Sequence, residues 1–343
     1  NPKTPKPQNP NGGTLGYFLS LLLMIIHLLS YDTMKAFILA EFMVTMAEAW
    51  STNGSLLVAG IAERLLEENA PASLAAANSM LGALTAENSA LTWQEDQHAF
   101  VECATFVNDV TGQGWQDQYH TINLPFYDEG TTAGDFSWSL DNRTSIDGLQ
   151  QLLAWLSGKQ GTAYQDGFIY RQLMNKFRDD EAVAKSYALR MLIHIVGDIH
   201  QPFNCIDRYT LDFPTGDNGG ELFPLNPKDG VDNLHQLWDT VLLEEINDIS
   251  LPFTNNAWDS FQRGIDQIDR KNSSAVSPST VFENTDFAAW ANESFEIAMD
   301  AYSGVKEGGA VTRGYLRKKV SVAYDQINVA GHRLYYAINY IFS

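Results

Sequence analysis

The chain has 343 residues, of which 45% are hydrophobic and 19% are charged, and its formal net charge is −20. A sequence of this length and composition can bury a sizeable core, which excludes wholesale disorder. The negative charge argues against recognition of nucleic acid through a basic patch, although bound metal ions could still supply positive charge to a nucleic-acid substrate. Two cysteines exclude a disulfide scaffold and a thiolate zinc finger.

The N-terminal part of the chain differs in composition from the rest. Residues 1–13 are rich in Pro, Asn, Lys and Gly and predict an extended arm. A strongly apolar run follows, from Leu15 to Leu29. A second segment begins at Met34 and ends in Ala47-Glu-Ala49 directly before Trp50, which is the layout of a cleavable signal peptide.

If residues 1–49 are retained in the mature protein, their apolar run needs a covering surface. A membrane, the protein's own core or a neighbouring subunit could provide it. The run is short for a bilayer span, which needs about 20 residues. We therefore expect this N-terminal extension to mediate self-association, in filaments if the contact is head-to-tail, and leave membrane association through residues 15–30 open.

From Trp50 onward the hydrophobic pattern is helical over most of the chain. The pattern between Leu56 and Leu66 predicts a helix that ends before Ala70-Pro71, and residues 73–112 predict two more, the second running from His98 to Val110. Residues 115–126 are predicted to be irregular. Further helices are predicted over Asn142–Leu156, Tyr164–Phe177, Asp180–His200, Leu234–Ile246, Phe287–Tyr302 and Val311–Phe342.

Residues 207–230 interrupt this helical pattern. They are rich in Gly, Asp, Pro and Asn and predict a short β-hairpin or a long loop. The sequence shows no internal repeat and no linker after Trp50. We therefore predict an all-α, or mainly α, single domain over residues 50–343, preceded by the extension of residues 1–49.

Two short segments carry the strongest chemical signal, His194-Ile-Val-Gly-Asp198 and His235-Gln-Leu-Trp-Asp239. Each places a histidine and an aspartate four residues apart, which is one face of a helix. Imidazole nitrogen and carboxylate oxygen are good ligands of zinc. One such pair is commonly a hydrogen bond alone, but two pairs within apolar helices, where an unpaired charge is costly, favour a metal site.

These segments belong to a longer pattern. Residues 50–343 resemble the single-strand-specific three-zinc nucleases of the S-one/P-one type, a family that shares its fold with bacterial zinc phospholipases C. The resembling segments are Trp50 to Ala62, Ala104-Thr-Phe106-Val-Asn108-Asp109-Val110, Gly112-Gln-Gly-Trp115-Gln-Asp-Gln-Tyr-His120, His194-Ile-Val-Gly-Asp198-Ile-His-Gln-Pro202, Gly219-Gly220, Asp232-Asn-Leu-His235-Gln-Leu-Trp-Asp239, Trp290 to Ser294 and Gln326 to Leu334.

The resemblance implies hydrolysis of phosphodiesters in single-stranded DNA or RNA, with zinc ions that polarise the phosphate, generate the nucleophile and neutralise the leaving oxygen. It also implies nine ligand positions in three groups. The first zinc takes the positions of Asn108, His120, His194 and Asp198; the second takes those of Asn204, His235 and Asp239; the third takes the main chain of Trp50, the position of Ser55 and a shared oxygen of Asp198.

Three of these positions depart from the family pattern. Asn108 stands where the family has aspartate, and Ser55 and Asn204 stand where it has histidine. Neutral Asn is a poor zinc ligand and Ser is rarely one. His120, His194 and Asp198 could still hold one zinc, with His194 and Asp198 as the catalytic residues. His235 and Asp239 are too few for a catalytic zinc.

Two functions follow from these departures. The first is a protein that keeps the nuclease fold with a degraded metal cluster, holding one zinc or none, and serves in assembly or binding. The second is a weakened zinc-dependent endonuclease or phosphodiesterase. Alternatively, these histidines and aspartates form a network of buried polar side chains without a metal ion.

Further residue types point to the secretory pathway. Asn-x-Ser/Thr sequons predict a secreted glycoprotein carrying N-linked glycans. The sequons begin at Asn53, Asn142, Asn272 and Asn292. Given the family's arrangement of zinc ligands, the segments of Cys103 and Cys205 lie near neighbouring zinc positions. A disulfide between them is one alternative, which secretion would favour, and two free buried thiols are the other.

Overall fold

The computed structural model describes residues 50–110, 114–228, 231–240, 249–272 and 285–343. These residues fall within a single compact unit, Ala47–Ser343. The predictions for residues 1–49, which are the extended arm, the apolar leader and self-association, lie outside the described residues. No helix in the described ranges is long and apolar enough to cross a membrane.

The described chain is mainly α-helical, as predicted. The helices are α1 Thr52–Asn69, α2 Pro71–Glu87, α3 Ala99–Glu102, α4 Phe106–Asp109, α5 Ser145–Ser157, α6 Phe168–Lys176, α7 Glu181–Asp198, α8 Leu234–Thr240, α9 Asn255–Asn272, α10 Phe287–Tyr302 and α11 Arg313–Phe342. Single 3₁₀ turns occur at Cys103–Thr105, Asp117–Tyr119, Ala133–Asp135, Ala163–Asp166 and Pro202–Cys205.

Helix α7 is the central helix of the domain. Asp180 caps its start, because the carboxylate accepts the backbone N–H groups of Ala182 and Val183 at 3.1 and 3.2 Å. From Val183 onward the helix is apolar on almost every side, which is typical of a helix buried all round. Helices α2, α5, α6 and α11 pack against it, and α1 packs against α11.

Two small sheets complete the fold. Strand β1 (Leu124–Tyr127) pairs in parallel with β2 (Ile206–Tyr209), so that Leu124 lies opposite Ile206. Strand β3 (Pro224–Lys228) pairs antiparallel with β4 (Val231–Asn233). The predicted hairpin near residues 207–230 is therefore present as β3 and β4, and it leads directly into α8.

Two predictions about the elements are wrong, and one helix was missed. The helix predicted from His98 to Val110 is broken by the 3₁₀ turn Cys103–Thr105, and the segment predicted to be irregular contains β1. Helix α9 was not predicted, because its sequence is mostly polar. It buries only a narrow stripe, with Phe261, Ile265 and Ile268 at most 2% exposed.

Candidate metal centre

The candidate metal centre is built around the end of α7. His194 and Asp198 lie one turn apart on this helix, as their spacing predicts, and both are fully buried. The Nε2 atom of His194 lies 3.3 Å from Oδ2 of Asp198. Pro202 follows one turn later in a 3₁₀ turn, and this change of direction lets other segments of the chain approach Asp198.

His120 joins this pair from a distant part of the chain. It directly follows the 3₁₀ turn Asp117–Tyr119, and the backbone N–H of Ile122 donates to the carbonyl of Asn204 at 2.8 Å. The Nδ1 atom of His120 lies 2.9 Å from Oδ2 of Asp198 and 3.3 Å from Nε2 of His194. The structure thus brings together the three residues predicted to hold a zinc ion.

The geometry of these three residues fits a metal ion. Their ligand atoms lie within 4.8 Å of one another, and no second such group of His, Cys, Asp or Glu residues occurs in the part of the chain that the structure describes. Nδ1 of His194 faces the Ala104 carbonyl at 2.6 Å, so it must carry the proton and leave the Nε2 lone pair free. Oδ1 of Asp198 is buried and has no hydrogen-bond partner among the described residues.

The pKa shifts of these three side chains also favour binding of a metal ion. Burial lowers the pKa of His120 to about 4 and also lowers the pKa of His194. Burial raises the pKa of Asp198 to about 7, against the opposing effect of His194. The ligands therefore favour neutral imidazoles, as zinc binding requires, and a bound cation would stabilise the Asp198 carboxylate.

A second corner of the site contains His235 and Asp239 on α8. The Nε2 atom of His235 lies 3.6 Å from Oδ2 of Asp239. Nδ1 of His235 donates to the carbonyl of Gly219 at 2.8 Å. Gly219 has a φ of +61°, and a Cβ at this position would lie 2.5 Å from the carbonyl of Phe203, so glycine is required here.

This second corner differs from the first, because no third His, Cys, Asp or Glu among the described residues joins His235 and Asp239. The amide Nε2 of Gln201 lies 2.7 Å from Oδ1 of Asp239 and 3.3 Å from Nε2 of His235. The Asn204 amide nitrogen donates to the carbonyl of Asp198 at 3.1 Å, whereas its Oδ1 is buried and has no hydrogen-bond partner among the described residues. Sequence reasoning gave Gln201 no role, although its place directly before Pro202 marks it as a capping residue of the turn.

The third corner lies at the start of α1. Trp50 is fully buried, and the hydroxyl of Ser55 donates to the Trp50 carbonyl at 3.3 Å. The backbone N–H of Ser51 donates to the Asp239 carbonyl at 3.2 Å. Asn108, which takes one of the first-zinc positions of the family, lies on α4 and is half-buried. Ser55 stands where the family has a histidine ligand. Its hydroxyl donates to the Trp50 carbonyl, and the resemblance implies that this carbonyl is itself a zinc ligand.

The structure also describes the two cysteines and three of the four sequon asparagines. Cys103 and Cys205 are buried and unpaired in the structure, and each sulfur lies 3.3 Å from a carbonyl oxygen nearby in the chain. Their pairing in a disulfide stays a prediction. Asn53 is only 2% exposed, which leaves no room for a glycan on its side chain. Asn142 and Asn292 are exposed, whereas the side chain of Asn272 lies outside the described residues.

Comparison with known proteins shows the family of this chain. The family model described as S1/P1 Nuclease matches residues 50–343, so the chain belongs to the S1/P1 nuclease family. Endonuclease 1 of Arabidopsis thaliana is 26% identical over 318 residues, which cover 88% of this chain and 89% of that protein. Endonuclease 2 of the same plant is 27% identical over 162 residues, covering 45% of this chain and 51% of that protein.

Proposed function

We propose that this protein hydrolyses phosphodiester bonds in single-stranded nucleic acid with one zinc ion instead of three, held by His120, His194 and Asp198. Membership of the S1/P1 nuclease family supports the reaction class. The observation that carries the proposal is that one ligand atom from each of these three residues lies within 4.8 Å of the other two. The second carboxylate oxygen of Asp198, Oδ1, is buried and has no hydrogen-bond partner among the described residues.

Each residue has a distinct part in this proposal. The Ala104 carbonyl fixes the tautomer of His194, which is the usual way that an outer hydrogen bond orients a zinc-binding imidazole. His120 is 6% exposed and so lies nearest to solvent, whereas His194 and Asp198 are closed off from it. A zinc ion here would supply Lewis-acid polarisation of the phosphate and lower the pKa of water.

We expect the activity to be weak. A zinc ion contributes several kcal/mol of transition-state stabilisation, and a single ion cannot clamp both the attacking and the leaving oxygen. Hydrolysis should therefore be slower than in a three-zinc enzyme by about a thousandfold or more, since 1.36 kcal/mol corresponds to a factor of ten.

Metal analysis and nuclease assays test the proposal together. The purified protein should hold one equivalent of zinc and degrade single-stranded DNA or RNA slowly, and chelator should abolish both properties. His194→Ala should remove the zinc and the activity. His332→Ala is the control, because this half-buried histidine on α11 lies outside the metal-ligating group. Three tightly bound zinc ions, or activity that survives His194→Ala, would contradict the proposal.

We further propose that the protein is a secreted glycoprotein, which the sequons and the signal-like segment support. The exposed side chains of Asn142 and Asn292 are suitable acceptors. Mapping of glycopeptides from the secreted protein should find glycans at these two residues and none at Asn53. The role of residues 1–49 in assembly stays a prediction, and truncation before Met34 followed by measurement of oligomer size would test it.

A further inference from the structure

Two of the segments that resemble the family, Trp290 to Ser294 and Gln326 to Leu334, contain no ligand position. They lie on α10 and α11, and both contact His200, which follows Asp198 by two residues. His200 is fully buried and does not belong to the group of possible metal ligands. The contacts of these two segments therefore show what holds the chain directly after a candidate ligand.

His200 caps the end of α7 with its own side chain. Its Nδ1 atom lies 2.7 Å from the carbonyl oxygen of Val196, which can only accept, so Nδ1 carries the proton. Val196 lies midway between His194 and Asp198 in the chain, near the end of the helix, where carbonyl groups lack a partner further along the helix. The imidazole supplies such a partner.

Arg333 on α11 holds the His200 ring in this orientation. It is 2% exposed, and its Nη1 lies 2.8 Å from Nε2 of His200, to which a guanidinium can only donate. Its Nη2 pairs with Glu293 at 2.7 Å, and the guanidinium lies over the Trp290 ring, 4.9 Å from the ring centroid. Nε of Arg333 is buried without a hydrogen-bond partner among the described residues, so the two Nη atoms make its hydrogen bonds.

Two carbonyl groups after α7 have neutral partners on the same two helices. The hydroxyl of Ser294 donates to the Ile199 carbonyl at 2.7 Å, and Nε2 of Gln326 donates to the His200 carbonyl at 3.3 Å. These contacts hold the backbone. Arg333 instead holds the ring of His200, with a charged and planar group whose two donors join His200 to α10 at a fixed geometry.

We infer that Arg333 is a positioning residue of the metal centre: through Nε2 of His200 it fixes the end of α7, and thereby the placement of Asp198 against His120 and His194. No hydrogen bond or ion pair in the described chain joins it to any of these three ligands. The inference rests on the proposed function, because it concerns the same zinc ion. Loss of an outer hydrogen bond commonly weakens metal binding by about 10–100-fold, and we expect about tenfold because Arg333 acts through another side chain.

Arg333→Met tests the inference, and Lys319→Met is its matched control. Lys319 is also buried on α11 and pairs with an acid of α10, Asp300, at 2.7 Å. It lies about 21 Å along the helix from Arg333, at 1.5 Å per residue. Each substitution removes a buried cation and should lower the melting temperature.

Zinc affinity, measured by competition with a chelator, should distinguish the two variants. It should fall about tenfold in Arg333→Met and should stay unchanged in Lys319→Met. Equal zinc affinities in the two folded variants would overturn the inference, because loss of a buried ion pair would then explain both.

A double-mutant cycle with His200→Asn tests the route. The Asn side chain keeps an amide donor for the Val196 carbonyl but lacks the Nε2 acceptor of His200. If Arg333 acts through that acceptor, Arg333→Met should cost no further zinc affinity in the His200→Asn background. Losses that add in the double variant would refute this route.

A measurement without zinc separates this inference from the proposed function. In chelator-treated protein, hydrogen exchange of the backbone amides of residues 195–199 should be faster in Arg333→Met than in Lys319→Met. Equal exchange rates would overturn the inference whether or not the wild type binds zinc. A wild-type protein without zinc would contradict the proposed function alone.

If Arg333→Met does not fold, NMR of the wild type decides the question. Long-range ¹H–¹⁵N correlation should show the proton of His200 on Nδ1 and a lone pair on Nε2. A proton on Nε2 would exclude the hydrogen bond from Arg333 and overturn the inference.

Discussion

Glu63 is a buried acid on α1, outside the metal centre, and its titration gives a quantitative test of the packing. It is 7% exposed, and burial, with Glu67 and Glu102 nearby, raises its pKa from 4.5 to about 8. The carboxyl oxygens of Glu102 accept backbone N–H groups of Asp96, His98 and Phe253 at 2.6, 3.2 and 2.8 Å, which fixes that group close to α1.

The raised pKa makes folding sensitive to pH. Between pH 4.5 and about 8 the folded chain retains a proton on Glu63 that the unfolded chain releases. The free energy of unfolding therefore falls as the pH rises through this window. At 1.36 kcal/mol per pH unit the whole window corresponds to an upper limit of about 5 kcal/mol, of which about 3 kcal/mol is reached at pH 7.

Glu63→Gln should remove this dependence, because the amide has nearly the same shape and does not titrate. The free energy of unfolding, measured by urea denaturation, should change little at pH 4.5 and should exceed that of the wild type by about 2–5 kcal/mol at pH 8.5. Glu67→Gln, which alters an exposed acid on the same helix, should change stability by no more than about 0.5 kcal/mol. A difference between Glu63→Gln and wild type that is the same at every pH would refute the reasoning.

Two further predictions concern packing and the thiols. Gly331→Ala should destabilise the fold by about 1–3 kcal/mol, because a Cβ there would lie 2.6 Å from Cβ of Ile61 where α11 crosses α1. Gly82→Ala should instead stabilise the fold by up to about 1 kcal/mol, because a Cβ at residue 82 would have no atom within 4 Å. Urea denaturation of both variants checks these values. Without reductant, Cys103 and Cys205 should react with a thiol reagent in urea but not in the native state; a chain with no reactive thiol in urea would contain the disulfide.

Local sequence signals predicted the elements that form the centre of the fold. Helix α7 is apolar on nearly every side and begins at a capping aspartate, so its sequence alone predicts both its existence and its burial. The spacing of His194 and Asp198 then places both side chains on one face of that helix. This part of the metal site depends only on helix geometry, which is why it could be predicted.

Elements that depend on distant contacts could not be predicted in the same way. Strands β1 and β2 are four residues each and pair across a large separation in the chain, and so short a segment shows no clear alternation of apolar and polar residues. The contacts of Gln201 with His235 and Asp239 depend on how α8 lies against the turn after α7. Nothing in the sequence near Gln201 specifies its distances to His235 and Asp239.

The departures from the family pattern differ in their consequences for the three corners. At the third corner the hydroxyl of Ser55 donates to the Trp50 carbonyl, and at the second corner Oδ1 of Asn204 is buried without a hydrogen-bond partner among the described residues. At the first corner no such donor meets Oδ1 of Asp198 within the described chain, and the Nε2 lone pair of His194 faces the same carboxylate. A buried acceptor without a partner costs about 1–3 kcal/mol. A metal ion held by His120, His194 and Asp198 would relieve this cost at the first corner, which is where the proposed function places its single zinc ion.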